Sequence, residues 1–215
     1  MRIYAVADIH AKPSRIERVR AGVKEHAPDV LVVAGDICSY VRPHDVYSHL
    51  NDMGIPVLTV RGNSDRLWHE RCLHRYENVT SLHMREVNIR GFAFSGISGS
   101  VPVPFRTRIA FREKALLEKA ASSIIAETIL VVHPPPYGTL DRVLGRISAG
   151  SKGVARLVAA CMPRLVLCGH IHEDTGIENI GGTLVVNCSI AESVNGAVID
   201  FDRAGGENRP VAKMV

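Results

Sequence analysis

The sequence predicts an α/β domain in which two mixed sheets pack face to face with helices outside. Two observations carry this. From Arg2 to Val60, short apolar runs alternate with helical patterns in the order β-α-β-α-β, which implies parallel, covered strands. Later, apolar runs come in pairs around Arg90-Gly91 and Gly181-Gly182, the pattern of antiparallel hairpins. Two stacked sheets accommodate both kinds of connection.

The elements follow in order. Arg2–Ala7 reads as a buried strand, and Ser14-Arg15-Ile16-Glu17 as a capping box opening a helix to about His26. Asp29–Ala34 is a second strand. Pro43 opens a helix to about Met53, and Pro56–Val60 is a third strand. Arg66–Tyr76 is expected to be helical. Glu86–Ile89 and Phe92–Ser95 form a hairpin, and Ser98–Arg108, with its Gly, Pro and Ser, forms a loop. Phe111–Ile125 is a helix and Glu127–Val132 a strand. Pro134-Pro135-Pro136 then imposes a rigid loop. Ser151 caps a helix to about Met162, and Arg164–Cys168 is a strand. Thr175–Ile180 and Thr183–Asn187 pair, and Gly196–Phe201 is the last strand, leaving the tail 203–215 unplaced.

The 215 residues suit one domain, 1–215, with no internal repeat or linker. A net charge of +4 with no run of five basic residues gives no reason to expect a nucleic-acid partner. No segment reaches the about 18 apolar residues of a membrane span, and Ile3–Ala7 is too short for a signal peptide. Five cysteines without a CxxC pair argue against a disulfide framework and fit a reducing cytoplasm.

Five segments end apolar runs with metal-binding side chains: Asp8-Ile9-His10, Gly35-Asp36, Gly62-Asn63-Ser64-Asp65, His133, and Gly169-His170-Ile171-His172. Singly, each is better read as a turn or cap. Together they place Asp, His and Asn side chains at the carboxyl ends of strands, where open α/β sheets bind ligands. If the chain stays extended, Asp8 and His10, and likewise His170 and His172, share a face at i and i+2. The set suffices for two ions, and oxygen and imidazole donors suit manganese, iron, zinc, cobalt or nickel. Two adjacent ions suit phosphate-ester hydrolysis. The other histidines, His26, His44, His49, His69, His74 and His83, are expected at the surface.

These motifs, in this order from Asp8 to His172, resemble the calcineurin-like metallophosphoesterase family, in particular its smaller bacterial and archaeal members. The resemblance implies a four-layer α/β/β/α sandwich. It implies one metal held by Asp8, His10, Asp36 and His172, and another by Asp36, Asn63, His133 and His170, with manganese the first choice. It also implies a hydroxide bridging the ions and attacking phosphorus in line, with Asn63 reaching a phosphate oxygen and Asp65 orienting a ligand or loop. The substrate would be a small phosphate ester such as a nucleotide, and the protein a monomer or homodimer.

One departure matters. Many members carry His after the Gly-Asn of the third motif, where it can protonate the leaving oxygen; here the residue is Ser64. A hydroxyl holds no transferable proton near neutral pH. This favours a phosphodiester substrate over a monoester, or a replacement donor, with His69 and His74 nearest in sequence. Tyr137, Arg142 and Arg66 are candidates for lining the substrate pocket, and Ser151-Lys152 for holding a phosphate. A rival reading is a non-catalytic scaffold like the retromer subunit that resembles this family, but every ligand of the family pattern is present. A DNA-repair nuclease would need regions that this chain lacks.

Overall fold

The computed structural model describes residues 1–38, 43–99, 113–201 and 209–215. Fourteen strands among these residues form two six-stranded sheets and a two-stranded ribbon. The first sheet holds β1 (Arg2–Val6), β2 (Val30–Val33), β3 (Val57–Thr59) and β4 (Val79–Ser81), all parallel, with β13 (Ala197–Phe201) and β14 (Pro210–Met214) added antiparallel beyond β1 and β13. The second holds β6 (Phe92–Ile97), β7 (Ile129–Val132), β10 (Leu165–Cys168) and β12 (Thr183–Asn187) in parallel. Its antiparallel edges are β5 (Glu86–Ile89) and β11 (Gly176–Ile180). The ribbon is β8 (Arg142–Val143) with β9 (Ile147–Ser148).

Alternation along the strands builds the layers. Ile3 and Ala5 of β1 face the second sheet and pack with Phe94, Ile129, Val131, Leu165 and Leu167. Tyr4 and Val6 face the other way, with Val19 of α1 (Pro13–His26) and Val46 and Leu50 of α2 (Pro43–Asn51). On the far side, Leu130, Val132 and Val166 meet Leu117 of α4 (Glu113–Ala121) and Val154 and Val158 of α5 (Lys152–Cys161). The order is therefore helices, sheet, sheet, helices, as expected. Phe94 sits fully buried between the sheets. Phe94→Ala should cost about 3–5 kcal/mol of unfolding free energy, read from a denaturant melt of metal-free protein.

Several expectations need correction. Helix α1 starts at Pro13, with Lys12 as an N-cap that makes no side-chain bond, so Ser14 is no capping-box residue. Proline takes the first helical position because its missing N–H costs nothing there. The helix expected over Arg66–Tyr76 is only α3 (Leu67–Arg71) and a 3₁₀ turn, Leu73–Arg75, before β4. Part of the unplaced tail is β14. Most of the expected loop Ser98–Arg108 and the start of the helix from Phe111 lie outside the described residues. No helix among the described residues is long and apolar enough to cross a membrane.

At one end the sheets are joined. Ala7, just past β1, donates its N–H to Cys188 and accepts from Ile190, both just past β12. This end carries the five motifs.

Candidate metal centre

Asp8, Asp36 and Asn63 follow β1, β2 and β3 of the first sheet, and His10 lies beside Asp8. His133 follows β7, and His170 and His172 follow β10, in the second sheet. The ligand candidates thus converge from both sides of the joined end. They do so by sharp turns rather than by extended backbone. Asp8, His10, Asp36 and His170 have φ of 63°, 52°, 50° and 72°. This left-handed conformation is costly for non-glycine residues and persists where the surroundings enforce it. Here Asp8 and His10 donate their N–H groups to the Gly35 and Asp36 carbonyls. The i, i+2 argument from the sequence therefore fails in its reason. His170 and His172 diverge into two halves of one cluster.

In one half, His172 Nε2 lies 3.3 Å and His10 Nε2 3.8 Å from Asp8 Oδ1. In the other, His133 Nε2 lies 3.2 Å from both Asn63 Oδ1 and His170 Nδ1. Asp36 Oδ2 stands between, 3.7 Å from His10 and 3.5 Å from His133. Each carboxylate uses one oxygen to accept a backbone N–H, Asp8 Oδ2 from His170 and Asp36 Oδ1 from Ser64. The other oxygen faces the imidazoles. Asp8 Oδ1 is buried with no hydrogen bond of good geometry among the described residues; the nearest nitrogen is His172 Nε2 at 3.3 Å.

A buried acceptor left bare is expensive unless something cationic fills the space. Donors held about 2.0–2.2 Å from an ion lie roughly 3–3.6 Å from one another, close to the shortest separations here. His133 donates Nδ1–H to the Ala34 carbonyl at 2.8 Å, which turns Nε2 toward the cluster. The residues therefore fit bound metal ions, with two three-residue groups, Asp8, His10 and His172, and Asp8, Asp36 and His133, each converging on one point.

The electrostatics agree. Burial alone would lower His133, but the Asp36 and Asp8 charges outweigh it and push it up to about 9. Burial, then the neighbouring His133, drops His170 to about 4. Burial opposes ionisation of Asp36, yet His133 and the Ser64 N–H hold it well below the usual carboxylate range.

Glycines make room for this. A Cβ at Gly35 would lie 2.5 Å from His133 Nδ1, and one at Gly169 2.7 Å from Asp8 Oδ2.

The remaining candidates sit elsewhere. Ser64 donates its hydroxyl to the Cys38 carbonyl, and Asp65 accepts N–H groups from Ile37, Cys38 and Gly62. Both tie the turn after β3 to the turn after β2. Burial, then the Asp36 charge, raises Asp65 to about 6. His69 is fully buried, against expectation, because its Nδ1 accepts the Arg66 N–H and its ring packs on Trp68. Exposed His74 holds Nδ1 to the Arg71 carbonyl. Cys38, Asp65 and His69 also approach one point, but hydrogen bonds already occupy Asp65 and His69 Nδ1. Ser151 caps α5 by accepting the Val154 N–H and donates to Glu113. Lys152 lies over the Tyr137 ring. Sequence reasoning passed over Arg15, whose buried guanidinium donates to the Asp8 and Ala191 carbonyls. A charged residue on a helix gives no sign of such a role.

A model of the calcineurin-like phosphoesterase superfamily domain matches residues 1–197. An uncharacterized protein of Methanocaldococcus jannaschii is 31% identical, with 88% of each chain covered. The human metallophosphoesterase domain-containing protein 1 is 29% identical over 88% of this chain and 66% of its own length. A dimetal phosphatase from Danio rerio shares the fold at a TM-score of 0.63 and 12% identity, covering 100% of this chain and 95% of that one. The motifs, the layered sheets and the match along nearly the whole chain agree: this protein belongs to the calcineurin-like phosphoesterase superfamily.

Proposed function

We propose that the protein is a two-metal phosphodiesterase of the reducing cytoplasm, acting on a small phosphate ester such as a nucleotide. The observation that carries the hydrolytic part is the two-lobed ligand cluster with Asp36 between its halves. One ion would be held by Asp8, His10, Asp36 and His172, the other by Asp36, Asn63, His133 and His170, with manganese the first candidate. When bound, such a pair activates water and neutralises phosphoryl oxygens.

The chain's own residues prepare this. Backbone N–H groups fix one oxygen of Asp8 and of Asp36, so the free oxygens keep their aim. The Ala34 carbonyl sets the His133 tautomer. The Asn63 amide lies at the cluster and can donate to a phosphate oxygen. The diester preference rests on position 64. Ser64, standing where many members carry His, spends its hydroxyl on the Cys38 carbonyl and holds no transferable proton near neutral pH. Five free cysteines support a reducing compartment.

The test is hydrolysis of an aryl phosphodiester against the matching monoester, with Mn²⁺ restored to metal-stripped protein. Faster metal-dependent diester hydrolysis is expected. A monoester preference would overturn the substrate assignment, and no metal-dependent turnover of either would favour a scaffold.

A further inference from the structure

Asn187 ends β12, fully buried, beside Cys168 of β10 and directly beneath the turn that carries His170 and His172. Its Nδ2 donates to the Ile171 carbonyl at 2.8 Å and to the Asp174 carbonyl at 3.0 Å, with the Leu140 carbonyl at 3.4 Å. Its Oδ1 accepts the Ser189 N–H at 3.3 Å. Carbonyls on one side and an N–H on the other fix which end of the amide is which.

Before His172 the turn is also held by Gly169, which donates to the His133 carbonyl, and by His170, which donates to Asp8 Oδ2; beyond that point little holds it from within. Ile171 donates to Gly169, and Asp174 reaches Ile171 only at 3.5 Å. Outside, Glu173 and Asp174 accept the Leu144 and Arg142 N–H groups of the β8–β9 ribbon. Asn187 thus bonds the carbonyls on both sides of His172 and holds Leu140, just before the ribbon, toward the same point.

We infer that Asn187 is a positioning residue for the His170–His172 turn. Its two donors hold the backbone in the one conformation that sends His172 to Asp8 and His170 to His133. It touches no ligand atom and acts only through the turn. Nothing in the sequence singled it out, since it reads as the polar end of an apolar strand. The inference rests on the metal-centre reading above.

The experiment compares Asn187→Leu, which keeps the bulk but removes the donors, with Val185→Ala. Val185 is buried on the same strand, against the helix layer. Mn²⁺ binding to metal-stripped protein is measured by calorimetry, beside the melting temperature of the metal-free forms. Asn187→Leu should weaken Mn²⁺ binding about 10–100-fold, as loss of an outer partner of a metal ligand commonly does. Val185→Ala should lower melting yet bind Mn²⁺ like the wild type. Equal Mn²⁺ affinity in Asn187→Leu and wild type overturns the inference, as does an equal weakening by Val185→Ala. A wild-type protein that takes up no Mn²⁺ overturns the metal-centre reading itself, which the wild-type titration reveals before any variant is made. If Asn187→Leu does not fold, Asn187→Ser, with room for a water in place of the amide, is judged by the same outcomes.

Discussion

Asp36→Asn is expected to abolish hydrolysis of aryl phosphate esters while leaving the metal-free fold in place. The two effects separate because Asp36 does two things with two atoms. Oδ1 accepts the Ser64 N–H, which an amide oxygen does equally well. Oδ2 stands between the two halves of the cluster, and an uncharged amide there is a poor bridge between cations. The loss should be at least about 100-fold, the upper end of what removing even an outer partner of a metal ligand costs. Melting of the stripped protein at neutral pH should fall, since the substitution removes the charge that pushes buried His133 up, an effect partly offset by relief of Asp65, whose ionisation Asp36 opposes. Turnover within tenfold of the wild type would show that Asp36 bridges nothing.

Among the described glycines, Gly62→Ala should be the most damaging added methyl. A Cβ there would lie 2.1 Å from Asp36 Oδ1 and 2.5 Å from the Asp36 N atom. The carboxylate could swing away only by dropping the Ser64 N–H and leaving the space between His10 and His133. The backbone cannot shift readily, because Asp36 also accepts the His10 N–H through its carbonyl. Overpacking of this kind costs about 1–3 kcal/mol of stability, and here it should remove metal-dependent activity as well. Chemical denaturation and metal titration of the same preparation test both parts. Normal Mn²⁺ affinity in Gly62→Ala would mean that the turn after β3 has slack that these contacts deny.

What the sequence revealed depended on the length scale of each feature. The parallel strands were legible because Val30–Val33 and Ile129–Val132 are unbroken apolar runs, buried on both faces. The site was legible because its residues sit where those runs stop. Strand β4 was not: three residues, Val79–Ser81, are too few to show a period, and a helical reading of the residues before it obscured its start. Strand β14 was missed because alternate side chains are exposed at the sheet edge, where Pro210 is tolerated. Extended geometry seemed enough to pair Asp8 with His10, but hydrogen bonds that both donate to the Gly35 and Asp36 carbonyls hold them in left-handed turns. The roles of Ser64, Asp65, Arg15 and Asn187 depend on carbonyl and N–H groups from remote segments, and no local pattern encodes those partners.

The hydrogen bonds from Ala7 to Cys188 and Ile190 have an architectural consequence. They make the sandwich a pair of tongs hinged at the end that carries the metal-ligand candidates. Small rotations of one sheet on the other displace atoms in proportion to distance from that hinge, so the spacing of Asp8, Asp36 and the histidines is disturbed least. The turns at the opposite rim, such as Arg90-Gly91 and Gly181-Gly182, can be lengthened, shortened or replaced with little penalty at the ligands. Divergence within such a superfamily can therefore run far in sequence while the chemistry stays in register.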